Sequence, residues 1–504
     1  MPTPRIALIL MTLVAVGHHV PAASAAVYGV TVVDSAYEPA TLRIDPGDEV
    51  TWTWASTKAH TVTSDTGLFD SGQRSGGSFS WPFPDPGTYA YHCQLHPSTM
   101  RGTIQVGDPV DPPDDPATLV YVTDAAGLVA AVAAAGPGTT IVLEPGHYEL
   151  LAPVVVDAPG VTIRGGRRPA DDEVRGRGWK TAAPTVPAPE PVDPSEVVVT
   201  SPGGVLRAFV VRARGDADPW AKPVTAIEDL TVTGFRLGAV HLAGAEGYRL
   251  ARLVLTDPHG RWDHGILAEG ASRGRVEDVL VSGARYAGVS VQHCRPCDVG
   301  IRGVTARGNF VGVEALAASG GVHVLDSTFE DNVNGIVLHT IDPRGTSSEG
   351  AYVAGNTVAG SGSATAPRPT IYQPDRLTPG EGVGVWLATA SRTTVARNLV
   401  SGGRYAVAVT SRGGASDGDH IEMNTVGGTE IADLAWDGHG TNTCFSDNAR
   451  PDGSEPTSSP VAIQRAYPCG STTVGVPNPT VSADLLLAAM ASYYCEVEPA
   501  LCPT

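Results

Sequence analysis

Between residues 27 and 107, short runs of alternating apolar and polar positions follow one another: "VYGVTVV", "ATLRI", "EVTWTWA", "GSFSWPF" and "TYAYHC". They are divided by the turn signals "DPGD", "TSDTG" and "FPDPG". A period of two broken by frequent turns predicts a small antiparallel β-sandwich. The following "GDPVDPPDDPA" is acidic, proline-rich and has nothing to bury, so residues 108–117 read as a stiff, solvated linker. After it, "TDAAGLVAAVAAAGPGTTIVLEPGHYEL" predicts a short helix with Asp124 as N-cap, running to Ala135 and turning at Gly136-Pro137-Gly138 into a strand.

From there the pattern repeats. "HGILAEG", "AGVSVQH", "VGVEALA" and "NGIVLHT" bring Gly265, Gly288, Gly312 and Gly335 into register, 23, 24 and 23 residues apart. A second line, "EDLTV", "EDVLV", "LDSTF", "GNTV", "RNLV" and "MNTV", sets Asp229, Asp278, Asp326, Asn356, Asn398 and Asn424 in equivalent places. Short strands, glycine at bends and Asn/Asp at a fixed turn suit a solenoid of stacked coils, in which the asparagines bond along the axis. Such a stack has open edges, and the helix from Asp124 to Ala135 is expected to cover the first. Residues 165–198 and 361–380 read as insertions on one face. Residues 118 to about 450 resemble the right-handed parallel β-helix proteins, the pectate-lyase-like group that also includes periplasmic NosD-type proteins. That resemblance implies a fold but no single activity, since such folds carry many.

Composition agrees with an all-β chain, with 59 Gly and 41 Pro among 504 residues. A net charge of −19 argues against nucleic acid or an anionic membrane surface as partner. Residues 1–26 join one Arg, an apolar run from Ile6 to Val16 and small residues at Ala23, Ser24 and Ala25, which reads as a secretory signal. Neither this run nor "DLLLAAMASYY" reaches the ~20 apolar residues of a membrane span. The expectation is a secreted or periplasmic protein, where paired cysteines are the default. Seven cysteines leave at least one unpaired.

The unpaired one points to chemistry. "YHCQLHPSTM" sets Cys93, His96 and Met100 on one loop, and "STKAHTVTS" offers His60 just after the aromatic strand "TWTW". A thiolate, two imidazoles and a weak thioether make the donor set of a one-electron copper carrier. A buried thiol beside two loop histidines is the plainer alternative, and zinc is the rival metal, disfavoured because a thioether ligates it poorly. The segments "YEPATLRIDPGDEVTW", "FPDPGTYAYHC" and "GTIQV", with His60, His96 and Met100, resemble the cupredoxins, small blue copper proteins such as plastocyanin, pseudoazurin and amicyanin. The resemblance covers residues 27–107. It implies one type 1 copper per chain held by His60, Cys93, His96 and Met100, and a redox partner protein. Three residues separate His96 from Met100 where those relatives usually have two or four, so the resemblance does not fix the axial distance. His92 falls on the opposite side of the strand from Cys93 and reads as a surface residue. No His-x-His pair follows the signal segment, which argues against a multicopper oxidase.

The solenoid offers weaker signals. Cys294 and Cys297 form a C-x-x-C without the βαβ context of a redox motif and read as a structural disulfide. Proximity alone pairs Cys444 with Cys469 and Cys495 with Cys502, stapling a tail over residues 451–504. "DPHGRWDHG" gathers Asp257, His259, Arg261, Trp262, Asp263 and His264 at an apparent bend, and Asp263 and His264 are the weak catalytic candidates of a polysaccharide lyase or hydrolase. The plainer reading is a polar turn. Glu314 and Trp386 occupy equivalent outward positions, the pattern of a strip facing a polysaccharide. The favoured expectation is an exported blue copper electron carrier tethered to a β-helix that recognises a partner. The alternatives are a β-helix enzyme with an accessory cupredoxin and a NosD-like copper-handling protein.

Overall fold

The computed structural model describes residues 27–106 and 119–485, except 35, 45–47, 57, 66–67, 84–86, 98, 169–188, 202–203, 215–223, 258–262, 341–347, 368–380 and 412–415. The expected signal segment and linker, much of both expected insertions and the expected Cys495/Cys502 pair lie outside the described residues. The chain divides into two compact units between Asp111 and Pro112. Among the described residues no helix is long and apolar enough to cross a membrane.

The first unit is a sandwich of two four-stranded sheets. One is ordered β2 (Tyr37–Glu38), β1 (Val27–Val32), β4 (Asp48–Trp54) and β6 (Ser78–Phe83). The other is ordered β3 (Thr41–Ile44), β8 (Arg101–Val106), β7 (Gly87–His92) and β5 (Thr63–Ser64). The expectation of an antiparallel sandwich needs correcting, because β1 pairs parallel with β4 and β3 parallel with β8. Alternation reports which side chains face inward and is blind to the direction of the neighbouring strand. In β4 that alternation buries Val50, Trp52 and Trp54. Trp52 packs against Phe69, Phe79, Phe83 and Tyr91, with ring centroids 5.4–6.4 Å apart. Tyr91 is wholly buried, and a Cβ on Gly102 of the adjoining strand would stand 2.3 Å from its ring, so only glycine fits there.

The second unit opens with α1 (Ala125–Ala134), capped by Asp124, whose Oδ1 accepts from the amide of Gly127 at 2.7 Å. Leu128 and Val132 of α1 are buried with the first coil in one continuous core. Strands one coil apart then pair in parallel along three faces, running from Leu119–Val122 to Cys444–Ser446, from Gly146–Glu149 to Thr425–Gly427, and from Val154–Val156 to Ser458–Ser459. The first two faces join through Thr225–Thr233 and Glu246–Thr256, strands long enough to serve both. This is a parallel β-solenoid. Pairing continues to Ser459, past the expected end near residue 450, because parallel pairing needs only backbone while the repeat is read from side chains.

Two columns explain the repeat. Gly265, Gly288, Gly312, Gly335 and Gly384 stand in register, and a Cβ on each would lie 2.4–2.8 Å from the carbonyl oxygen one coil on. The second line needs a one-residue correction. Thr328 pairs with Thr357, so Asn356 stands opposite Ser327, and Asp326 stands opposite Gly355. Asp229, Asp278 and Asp326 share left-handed φ values of 45–58° with Arg397 and Met423, the residues just before Asn398 and Asn424. One column is therefore a left-handed bend, which short polar residues and glycine tolerate best. The next is a buried ladder in which Asn356 Nδ2 donates to Asn398 Oδ1, Asn398 to Asn424, and Asn424 to Asn448, each at 2.8–2.9 Å. Gln464, on the short helix Ile463–Ala466, closes the ladder by accepting from Asn448.

Candidate metal centre

Strand β7 ends where the site begins. Alternation buries Tyr91, turns His92 the other way to meet Asp65 at 2.5 Å, and buries Cys93 just past the strand end. The chain then reverses within one loop: the His96 amide donates to Cys93 O, the Met100 amide to His96 O, and the Cys93 amide to Met100 O, at 2.9–3.0 Å. Met100 is thereby locked beside Cys93 and is fully buried, while His96 is exposed.

His60 comes from a separate segment. Its backbone pairs with Arg74 in both directions at 2.8 and 2.9 Å. The next residue, Thr61, ties the two ligand segments together. Its amide faces Cys93 Sγ at 3.4 Å, its hydroxyl accepts from the Gln94 amide at 2.8 Å, and its carbonyl accepts from the buried Tyr37 hydroxyl at 2.5 Å. The ring of His60 is oriented from behind, with Nε2 3.1 Å from Ser56 Oγ. Ser56 Oγ donates to Asp34 Oδ1 at 2.6 Å, so its lone pairs are left to accept from His60 Nε2–H and from the Lys58 amide at 2.9 Å. That chain keeps the proton on Nε2 and the lone pair on Nδ1, the arrangement behind many metal-ligating histidines. Burial and the neighbouring His96 imidazole push His60 below the usual histidine range, which also favours the neutral ligand form.

The result is convergence. Cys93 Sγ lies 3.7 Å from His60 Nδ1 and 3.7 Å from His96 Nδ1, and the three donor atoms all fall within 4.8 Å of one another. An ion about 2.3 Å from sulfur and about 2.0 Å from nitrogen, at about 120°, sets an S···N separation of about 3.7 Å. The donors are spaced for one trigonally held ion, and a thiolate with two imidazoles suits copper. Cys93 is the only unpaired cysteine among the described residues. The sequence brought His60, Cys93, His96 and Met100 forward, but not Asp34, Ser56 and Thr61, whose roles depend on contacts that small polar residues advertise only weakly.

The solenoid candidates stand differently. Cys294–Cys297 and Cys444–Cys469 are disulfides. His259, Arg261 and Trp262 lie outside the described residues. Asp263 and His264 are buried, and Asp263 accepts from the Arg285 amide, which makes it a brace of the next turn. Glu314 and Trp386 do occupy equivalent positions, in register through Val337, but the expected exposed strip is overturned because both are 0% exposed. The outer side of this sheet is itself a packed layer of Phe310, Val337, Trp386, Tyr405, Val481 and others. Within it Glu314 accepts from Tyr286, from Ser290 at 2.6 Å, from Gln292 at 3.1 Å and from His339 at 2.8 Å. Burial alone would raise its carboxyl, yet these donors, His339 foremost, hold it at about 2. His264 packs edge-on to Tyr286, 5.1 Å between centroids, and burial depresses it to about 4.

The first unit has recognisable relatives. Residues 26–107 match the family described as copper binding proteins, plastocyanin/azurin family. An amicyanin of Paracoccus denitrificans is 36% identical over 87 residues, 16% of this chain and 66% of that protein, just under two thirds of its length. Among solved structures, a purple cupredoxin from Nitrosopumilus maritimus is 27% identical, with 16% of this chain and 99% of that one covered and a TM-score of 0.15. A copper-containing nitrite reductase from Thermus scotoductus is 24% identical over 16% of this chain and 23% of its own, with a TM-score of 0.16. Family match and donor geometry agree, and the N-terminal unit is a copper-binding cupredoxin domain of the plastocyanin/azurin family.

Proposed function

We propose that this protein is an exported type 1 copper protein that accepts and donates single electrons, with the solenoid as its recognition body. The observation that carries the reading is the spacing of Cys93 Sγ from Nδ1 of His60 and of His96, 3.7 Å each. Copper in that set supplies a one-electron couple and, when oxidised, intense thiolate-to-copper charge transfer. The chain does the rest. His60 is held from behind by Ser56, the Thr61 amide faces the Cys93 sulfur, and the packed aromatic core fixes both segments, so the donors need not rearrange as charge changes. Met100, buried and locked by its backbone to Cys93, would supply a fourth, weak thioether donor. With four donors committed, no open position is left for a substrate. The exposed His96, with Leu95 beside it 47% exposed, is the edge offered to a redox partner protein.

Export to the periplasm or beyond is supported by the signal-like residues 1–26 and by the two disulfides. The decisive experiment is an absorption and EPR spectrum of the copper-loaded protein. We expect an intense blue band that Cys93→Ser abolishes while the sandwich stays folded. A colourless protein that retains stoichiometric zinc instead would sink the assignment. Incubation with pectate, alginate and neutral glycans tests the second unit: binding without turnover fits the carrier, whereas new reducing ends or unsaturated products would make the solenoid an enzyme and the cupredoxin its accessory.

A further inference from the structure

Three ligating side chains meet at the far end of the solenoid, in the other unit from the blue copper centre. The parallel register sets His420 directly opposite Cys444 on the next coil. Cys469 follows the short helix Ile463–Ala466 and is bonded to Cys444. One imidazole nitrogen and the two sulfurs lie within 4.8 Å of one another. His420 is exposed, Cys469 half-buried and Cys444 buried, so the group is approachable from one side.

What makes this more than a staple is how the two cysteine segments are held besides the sulfur bond. The Phe445 amide donates to Tyr467 O at 2.9 Å, Thr473 Oγ1 to Thr443 O at 2.7 Å, and the Asn442 amide to Thr473 O at 2.8 Å. Gln464 joins the asparagine ladder at Asn448 from both ends of its amide, at 2.8–3.0 Å. These bonds flank both cysteines, so opening the disulfide leaves the two sulfurs and the imidazole side by side.

We propose that reduction of Cys444–Cys469 converts this corner into a Cys2His site for monovalent copper. A dithiol reductant delivers two electrons and two protons to the disulfide and becomes a disulfide itself, leaving two thiols here. Binding Cu(I) then releases both thiol protons, so Cys444 and Cys469 ligate as thiolates and His420 as a neutral imidazole. Soft thiolates select Cu(I). The donor count agrees, since structural zinc takes four ligands and three are in place among the described residues. In the oxidised protein the sulfurs are spent on each other and the site is closed, so the disulfide gates it. The ion would bridge the tail to the last coil as the sulfur bond did. The proposal does not rest on the electron-carrier reading.

The test uses the full chain with Cys93→Ser and His96→Ala, which removes two donors of the N-terminal centre, and any Cu(I) still held there is common to every variant compared. After anaerobic treatment with a dithiol and removal of the excess, the protein is titrated with Cu(I) against a chromogenic Cu(I) chelator, and the same is done with His420→Ala and Cys469→Ser added singly. His420 is a surface residue whose loss leaves every thiol in place, so it separates this site from the dithiol that Cys294 and Cys297 would also yield. We expect one equivalent to weaken at least ~10-fold on His420→Ala, to be lost on Cys469→Ser, and to be missing from the oxidised protein. Superimposable titrations with and without His420→Ala, or the same equivalent bound as tightly by the oxidised protein, would overturn it.

Discussion

Ser56 is not a metal ligand, yet its loss should be felt at the metal. The hydroxyl lies 3.1 Å from His60 Nε2 and 2.6 Å from Asp34 Oδ1, at a site only 7% exposed. Ser56→Ala removes the one acceptor that fixes which ring nitrogen of His60 carries the proton, and leaves a buried N–H without a partner. An orphaned buried donor costs about 1–3 kcal/mol. Loss of a partner behind a ligating histidine typically weakens metal binding ~10- to 100-fold, or about 1.4–2.7 kcal/mol. In the wild type the bonds from Ser56 and Lys58 hold the Asp34 carboxyl below its usual range, and in Ser56→Ala the Lys58 ammonium, 3.3 Å away, remains to favour its charged form. The assay is competition for copper between the protein and a chelator of known affinity, with Ser56→Thr as the control that keeps the hydroxyl. We expect Ser56→Ala to fall in that window and Ser56→Thr to recover most of the loss. Copper binding by Ser56→Ala within about twofold of the wild type would refute the argument that this serine sets the tautomer.

Other perturbations probe the remaining parts. Met100→Leu should keep the blue band and raise the reduction potential, since the axial ligand is long and weak; complete loss of copper would show its role to be misassigned. Asn398→Ala removes the acceptor of both the amide and Nδ2 of buried Asn356, at 3.0 and 2.9 Å. It should lower solenoid stability by about 2–6 kcal/mol in denaturant unfolding, at about 1–3 for each of the two orphaned donors. Glu314 titrates at about 2 in the fold against an ordinary 4.5. A depressed carboxyl stabilises fully above its ordinary value and loses that contribution as pH falls toward the folded one. Acid unfolding should therefore steepen below about pH 4.5 in the wild type and flatten there in Glu314→Gln, followed by circular dichroism.

The sequence alone brought forward the His60, Cys93 and His96 cluster and the existence of a solenoid, because both are written in features local to the chain. Cys93, His96 and Met100 lie on one loop, and the glycines recur at one coil length because the next coil's carbonyl leaves no room for a Cβ. What local pattern cannot carry is which strand lies beside which, and what covers a face. Parallel pairing of β1 with β4, the one-residue offset between the left-handed bend and the asparagine ladder, and pairing as far as Ser459 all follow from register between distant segments. Glu314 and Trp386 have the sequence spacing of outward positions, and they do point outward. Only tertiary structure decided that the outside of that sheet is itself packed, so that the glutamate became a buried hydrogen-bond acceptor for His339 instead of a sugar contact. Likewise Ser56 and Thr61 became supports of the metal centre only when folding brought residues 34, 56, 61 and 93 to one point, where a hydroxyl or an amide proton acts over about 3 Å or not at all.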